Sequence, residues 1–224
     1  MNILVIAAHA DDEVLGCGGT IAKYKDQGAT VNVAILADGV SSRNEENAGY
    51  NPEILIRNTA AEKANKILGV DKVKLGSFPD NRMDSIDLLD VVKYVELLIE
   101  EFTPDMILTH HSNCLNIDHR IVNQAVCTAC RPQGNYSVKS ILFFEIPSST
   151  EWQINSLGGF SPNLFEDITS YMPKKIEALE VYSMEIRDWP HPRSIEGVLH
   201  LSKWRGATVG VDTAEAFIVG RIIK

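Results

Sequence analysis

The chain of 224 residues is long enough for one domain with a full hydrophobic core and too short for two comfortable ones. Its 45% hydrophobic and 23% charged residues are ordinary for a soluble globular protein, and no apolar run approaches the roughly 20 residues that a membrane helix needs. The formal net charge of -9 disfavours nucleic acid as a partner, because an acidic surface repels a phosphate backbone. The first residues form a strand-like run without the pattern of a signal peptide, so we expect a cytoplasmic protein with no membrane partner.

Short apolar runs alternate with helical stretches over the first two-thirds of the chain. The apolar runs are nearly continuous, as strands buried on both faces of a parallel sheet are: Ile3–Ala8, Val31–Leu36, Lys72–Leu75, Met106–Thr109 and Ser140–Glu145. The stretches between them have the length and apolar spacing of helices: Val14–Asp26, Glu53–Leu68, Ile86–Glu101 and His119–Cys130. This alternation predicts a single α/β domain, a Rossmann-like three-layer sandwich with a mostly parallel sheet.

The last third of the chain has a different pattern. Residues 147–162 are rich in Ser, Gly, Pro and Asn, which predicts a long surface loop, and such a loop inside a compact domain is more often functional or mobile than structural. We expect helices at Lys174–Glu185 and Ile195–Trp204 and a final strand at Ala214–Ile223. The single domain of residues 1–224 therefore divides into a Rossmann-like core over 1–146 and a C-terminal part over 147–224 that completes the site.

A first cluster of polar residues, His9-Ala10-Asp11-Asp12-Glu13, directly follows the first predicted strand. Ligands of open α/β sheets gather beyond the carboxyl ends of the strands, and His9 and Asp12 converge on one metal ion if the loop folds back. Asp11 would then lie beside the metal as a free carboxylate, which is what a general base requires. A simpler role also fits these residues: Asp11 or Asp12 caps the following helix and His9 ends the strand.

A second cluster follows the fourth predicted strand, where Thr109 to Arg120 joins that strand to a helix. His119 lies at the start of the helix and offers a third metal ligand. Two histidines and one carboxylate with open coordination positions suit a catalytic metal. Asp118 is placed to orient one of the ligands from behind.

The residues of the first cluster and those after it resemble the PIG-L/LmbE-like de-N-acetylases. The first motif of that family is His-Pro-Asp-Asp-Glu after the first strand, and this chain has His9-Ala10-Asp11-Asp12-Glu13. Further matches to the family are Val14-Leu15-Gly16-Cys17-Gly18-Gly19-Thr20, Asp38-Gly39, Arg57, Ala64, Leu68-Gly69 and Pro79-Asp80-Asn81. The resemblance covers most of the chain to about Arg131 and is weaker beyond it.

By that resemblance, His9, Asp12 and His119 are the zinc ligands and Asp11 is the general base. The second family motif usually ends His-Pro-Asp-His, whereas this chain has Asn116-Ile117-Asp118-His119. The histidine that usually serves as general acid is therefore missing, and Asn116 becomes a substrate-binding candidate.

Three groups remain for protonating the departing amine. Asp11 could return the proton that it takes from water, His110 and His111 lie at the end of a strand, and His191 lies between two prolines in an extended loop. We favour His191, with Asp11 as the close alternative, because a histidine titrates near neutral pH.

Arg43 and Arg193 are candidates for binding an anionic part of the substrate, although each fits equally well as an ordinary surface arginine.

The sequence thus predicts a zinc-dependent hydrolase that removes the acetyl group from an N-acetylated sugar, nucleotide sugar or sugar conjugate. Fe2+ or another divalent metal suits the same ligands. Two alternatives stay open: an amidase that acts on another sugar amide, such as a thiol-sugar conjugate, and a non-catalytic sugar- or nucleotide-binding Rossmann module. The partner is a small molecule in each case, and the sequence leaves a homo-oligomer open.

Overall fold

The computed structural model describes residues 1–39, 52–133, 138–154 and 158–224. The strands form one seven-stranded sheet in the order β3-β2-β1-β4-β5-β7-β6. Their bounds are β1 Asn2–Ala7, β2 Thr30–Ala37, β3 Lys72–Phe78, β4 Met106–His110, β5 Ser140–Phe144, β6 Leu164–Asp167 and β7 Ala214–Ile222. Strands β1 to β5 pair in parallel, and β7 runs antiparallel to both β5 and β6.

Helices cover both faces of the sheet, which confirms the three-layer α/β prediction. Their bounds are α1 Asp12–Asp26, α2 Pro52–Leu68, α3 Leu88–Phe102, α4 Ile117–Ala129, α5 Met172–Val181 and α6 Ile195–Val209. Alternate residues of β1 enter opposite cores: Ile3 and Val5 pack toward α1, α2 and α5, whereas Leu4 and Ile6 pack toward α3 and α4. Because both faces of β1 are buried, its sequence is apolar throughout rather than alternating.

The structure differs from the predicted elements mainly in the last third of the chain. Strand β6, Leu164–Asp167, was not predicted, because two of its residues are acidic and the segment lacks an apolar run. Helix α5 ends at Val181 rather than at Glu185. The side chains beyond its end make tertiary contacts instead, since the Tyr182 hydroxyl donates to Glu13 and Glu185 pairs with Arg57.

The glycines of α1 are explained by packing and by a break in the helix. A Cβ atom at Gly16 would lie 2.4 Å from Cδ2 of Phe144, so only glycine allows α1 to approach the sheet this closely.

The helix is interrupted at Cys17, whose φ of -151° is not helical. The Glu215 carboxylate accepts hydrogen bonds from the backbone amides of Gly19 and Thr20 at 2.9 and 2.7 Å. Lys175 donates to the Leu15 carbonyl at 2.8 Å and also to Glu215. A buried ion pair thus holds the part of α1 that follows the polar cluster.

None of the helices in the described residues combines the length and apolar character that a membrane span requires.

Candidate metal centre and active site

The two polar clusters meet where the strand order reverses. Strands β1 and β4 are neighbours in the sheet, yet β2 follows β1 on one side and β5 follows β4 on the other. The connections from their carboxyl ends leave in opposite directions and open a crevice, which is where open α/β sheets bind ligands. His9 follows β1, and His119 lies in the first turn of α4, the helix after β4, so the topology brings these two side chains together.

The side chains of His9, Asp12 and His119 form a compact set of ligand atoms. One ligand atom from each lies within 4.8 Å of the others. Asp12 Oδ2 is 3.2 Å from His9 Nδ1 and 3.2 Å from His119 Nε2, and the two ring nitrogens are 3.3 Å apart. The other carboxylate oxygen, Asp12 Oδ1, is buried and has no hydrogen-bond partner in the described part of the chain. A buried carboxylate oxygen without a partner is costly, and a bound cation would satisfy it, so these residues fit a divalent metal.

His9 is held from behind by Asp118, as the sequence predicted for that residue. His9 Nε2 donates to Asp118 Oδ2 at 2.9 Å, which turns Nδ1 toward Asp12. Asp118 is itself fixed, because it accepts the backbone amides of Asn81 and Met83 at 2.7 and 3.0 Å. Burial alone would lower the pKa of His9, but its bonds to Asp118 and Asp12 outweigh burial and raise that pKa to about 10. The surrounding carboxylates therefore attract positive charge to this point, whether a proton or a metal ion.

His119 is held by a different kind of partner. Its Nδ1 lies 3.2 Å from Sγ of Cys114, and its Nε2 faces Asp12. Burial would lower the pKa of His119, but the charge of Asp12 outweighs it and raises the pKa to about 9. A histidine that binds a metal through Nε2 carries its proton on Nδ1, which makes Cys114 the acceptor.

His110 lies under the ligands as a neutral, buried side chain. Its ring stacks on His119 with centroids 4.0 Å apart, and its Nε2 accepts the Ala8 amide at 2.8 Å. Burial holds the pKa of His110 well below its ordinary range. His110 therefore supports the imidazole of His119 and the end of β1. His111 turns to the Gly158 carbonyl at 3.1 Å and the ring of Phe160.

Asp11 occupies a strained backbone position between two of the ligands. Its φ of 111° lies in the left-handed region, which a residue with a side chain rarely adopts, and such strain often marks a functional site. The Glu13 carboxylate accepts the Asp11 amide at 3.1 Å, and Glu13 is anchored by the Tyr182 hydroxyl at 2.6 Å and the Asn65 amide at 2.9 Å. Burial raises the pKa of Asp11 to about 7, although the nearby Arg193 lowers it.

The structure brings Arg193 to the site and gives it protein partners. Its Nη1 donates to Asp11 Oδ2 at 3.1 Å, and its Nε donates to Ser148 Oγ at 2.8 Å. The sequence made Arg193 a candidate for binding an anionic substrate. No motif indicated its hydrogen bond to Asp11. The carboxylate of Asp11 thus has a fixed cation on one side, which orients it.

The His191 ring contacts Arg193, two residues further along the chain, and Trp152. Its Nδ1 accepts the Arg193 backbone amide at 3.1 Å, and its ring meets the half-exposed Trp152 edge to face with centroids 5.5 Å apart. Because Nδ1 is an acceptor, a neutral His191 ring carries its proton on Nε2 and offers that N–H as a donor.

Asn116 and Arg43 are the other two residues that the sequence suggested for substrate binding. Asn116 caps α4: its Oδ1 accepts the Asp118 amide and its Nδ2 donates to Asn81 Oδ1, both at 2.8 Å. That role positions Asp118, and substrate binding by Asn116 stays a prediction. Arg43 lies outside the described residues.

A cavity of about 130 Å³ opens beside Ala10. Ala10 is the residue between His9 and Asp11 in the sequence. Arg57 and Glu185 form a buried ion pair at its wall, and apolar side chains of α2 and of the end of α5 complete it. Polar and apolar groups therefore face the same space, and of the loop His9–Asp12 only Ala10 is among the residues that line it.

Comparison with known proteins agrees with this geometry. Residues 4–130 match the model of the PIG-L family, described as GlcNAc-PI de-N-acetylase. An uncharacterized deacetylase of Escherichia coli K12, YaiS, is 30% identical over 80% of this chain and 89% of its own length. A diacetylchitobiose deacetylase of Thermococcus kodakarensis is 27% identical over 82% of this chain and 70% of its own.

A solved structure of the 4-carboxy-2-hydroxymuconate hydratase GalB from Pseudomonas putida KT2440 has the same fold. It superposes with a TM-score of 0.80 at 21% identity and covers 100% of this chain and 99% of that one. This neighbour is named for a hydration rather than a deacetylation. The fold by itself therefore does not define the reaction, and the side chains of the site must.

The chain belongs to the PIG-L family, since the family model matches more than half of it. It is a hydrolytic enzyme of the metal-dependent deacetylase class, as the family and the cluster of His9, Asp12 and His119 together indicate. This disfavours the alternative of a non-catalytic binding module.

Proposed function

We propose that this protein is a zinc-dependent N-deacetylase that hydrolyses the acetamide of an N-acetylated sugar, nucleotide sugar or sugar conjugate. The single observation that carries the proposal is the arrangement of Asp11 beside the three potential ligands His9, Asp12 and His119. A binding site needs no carboxylate of this kind, whereas hydrolysis needs a base for the water. The named substrate of the diacetylchitobiose deacetylase from Thermococcus supports an N-acetyl sugar as the substrate class.

His9, Asp12 and His119 would hold the metal. Two histidines and one carboxylate suit zinc, which we propose, and they suit Fe2+ as the alternative. A bound divalent metal would polarise the acetyl carbonyl and make a water molecule more acidic. The residues around it have separate tasks. Asp118 and Cys114 accept the protons on the far nitrogens of His9 and His119, which leaves the nitrogens that face Asp12 to bind the metal in place of a proton.

Asp11 accepts the proton of the water that attacks the acetyl carbon. Arg193 holds one oxygen of this carboxylate at 3.1 Å, so Asp11 keeps one direction during the reaction. The bond between the carbonyl carbon and nitrogen then breaks, and acetate and the sugar amine leave. An amine leaves poorly as an anion, so a proton must reach its nitrogen.

His191 delivers that proton in this proposal, with Asp11 as the alternative donor. The imidazolium form of His191 would give its Nε2 proton to the amine nitrogen and become a neutral ring, and the bond from the Arg193 amide to Nδ1 would have to open in that form. Asn116, at the position of the usual acid histidine, serves as a helix cap and has no proton of suitable acidity. Arg43 and Arg193 remain candidates for contacts with an anionic part of the substrate.

We infer a water-soluble substrate and a cytoplasmic enzyme. The net charge of -9 disfavours an anionic membrane surface or nucleic acid as a partner, because like charges repel.

A screen for acetate release tests this function. Metal-loaded protein is incubated with a panel of N-acetyl sugars, nucleotide sugars and thiol-sugar conjugates, and acetate and free amine are measured separately. The proposal expects equal amounts of both from at least one N-acetyl sugar. Release of another acid from a thiol-sugar amide, with no acetate from the panel, would favour the alternative amidase.

A further inference from the structure

The loop after β5, residues 146–150, supplies neither a potential metal ligand nor the proposed base. It contacts one residue that holds a metal ligand and another that holds the base. Two adjacent serines of this loop point to different sides. Ser149 meets Cys114, the partner of His119, and Ser148 meets Arg193, the partner of Asp11. No sequence motif marks either serine.

The first connection runs from Ser149 to the metal ligand His119. Ser149 Oγ is 2.9 Å from Cys114 Sγ, which in turn is 3.2 Å from His119 Nδ1. The Nδ1–H of the ring donates to sulfur, and the thiol proton is then free to be donated to Ser149 Oγ. The backbone supports the same connection, because the Leu115 amide donates to the Ser149 carbonyl at 3.2 Å.

The second connection runs from Ser148 to Asp11. Ser148 Oγ accepts from Arg193 Nε at 2.8 Å, and Arg193 Nη1 donates to Asp11 Oδ2 at 3.1 Å. Ser148 has a φ of 66°, in the left-handed region that side chains rarely adopt. The Glu151 carboxylate accepts the Ser148 amide at 2.6 Å and so stabilises this conformation. The consecutive side chains of Ser148 and Ser149 thus reach two different partners.

We propose that the loop 146–150 positions the two halves of the active site through separate contacts, Ser149 and Cys114 holding His119 and Ser148 and Arg193 holding Asp11. The three residues Ser148, Ser149 and Cys114 are positioning residues, since each acts through another side chain. The inference rests on the proposed function for the role of Asp11, but its metal arm does not depend on any substrate.

The test separates metal affinity from turnover. Cys114→Ala is expected to weaken zinc binding about 10–100-fold, the usual effect of losing a group that orients a ligand. Cys114→Ser keeps an acceptor at this position and should recover most of the affinity. Zinc affinity is measured by competition with a chromophoric chelator, and Cys130→Ala, another buried cysteine far from His119, is the matched control.

Ser148→Ala is expected to lower kcat about tenfold at unchanged zinc affinity, because a base that is misplaced by a fraction of an ångström loses efficiency. Ser148→Gly distinguishes the hydroxyl from the backbone: glycine adopts a φ of 66° without strain, so it removes the hydroxyl alone. Both variants should lose kcat to a similar degree. The NMR signal of the Arg193 Nε–H gives a readout without substrate, since its protection from solvent exchange should fall in both.

The proposal is overturned if Cys114→Ala binds zinc like the wild type, or if Ser148→Gly keeps both full turnover and a protected Arg193 Nε–H. Parallel losses of zinc affinity, kcat and melting temperature in all variants would also overturn it, because they would describe a loop needed only for folding. A wild-type protein that releases no acetate contradicts the proposed function instead, and the zinc and NMR measurements still decide the loop proposal.

Discussion

The N-terminal part of the chain, through α4, and the part after β5 contribute to the site in different ways. The first part carries every residue of the potential metal cluster, and these residues stand in two short segments at the ends of neighbouring strands. The second part carries none of them, yet it holds residues beside the cluster. Tyr182 bonds Glu13, Arg193 bonds Asp11, and Ser149 contacts Cys114. The chemistry is thus concentrated in short motifs, while its precise placement depends on single residues from distant parts of the chain.

The largest expected effect is on the metal cluster itself. His119→Ala should abolish tight metal binding and with it nearly all turnover, because two ligands rarely hold a catalytic metal. Metal content after dialysis is measured by elemental analysis. The control is His200→Ala, which changes an exposed histidine on α6 and should keep the metal bound. Full metal occupancy in both His119→Ala and His9→Ala would refute the ligand assignment.

Removal of the base should spare the metal and stop the reaction. Asp11→Asn is expected to keep its metal and to lose about 10²–10⁴-fold in kcat, since a carboxamide cannot accept the proton. Steady-state kinetics and metal analysis on the same sample check this. Loss of metal in Asp11→Asn would make Asp11 a ligand, and unchanged kcat would remove it from the mechanism.

A smaller effect is expected from the carboxylate behind His9. Asp118→Asn should weaken zinc binding about 10–100-fold, because the amide is a poorer acceptor for His9 Nε2 and two backbone amides also depend on it. Chelator competition measures the change. If zinc affinity stayed at the wild-type value, the orientation of His9 would not depend on Asp118.

The smallest of these effects concerns a residue of the C-terminal part. His191→Ala should lower kcat by at least about tenfold with metal content unchanged, at the low side of general-acid effects. Wild-type kcat in His191→Ala would leave Asp11 as the sole proton carrier. Together with Ser148→Ala, this variant asks whether the C-terminal part affects turnover without affecting the metal.

The sequence predicted the features of the site that are local. The sheet, the layers and the meeting of His9 with His119 follow from strand runs and from the position of polar residues at strand ends. Asp118 was expected to orient a ligand, and in the structure that ligand is His9. These conclusions need only short stretches of sequence and a general rule of topology.

The contacts of the C-terminal part could not be predicted in this way. Tyr182 and Glu13 are 169 positions apart, and Arg193 and Asp11 are 182 apart. A lone tyrosine or arginine carries no periodic signal, and its partner is decided by how α5 and the following loops pack on α1. In the same part of the chain, α5 ends earlier than predicted, α6 ends later, and β6 is an additional strand that pairs with β7.

The central claim, that one metal ion at His9, Asp12 and His119 enables deacetylation, is tested most directly by a titration. Metal-free protein receives increasing zinc while acetate release from an N-acetyl sugar identified in the screen is followed. With one metal site per chain, the rate should rise in proportion to added zinc and level off at about one equivalent per chain. Full acetate release by metal-free protein, or a rate that does not respond to zinc or to any other divalent metal, would contradict it.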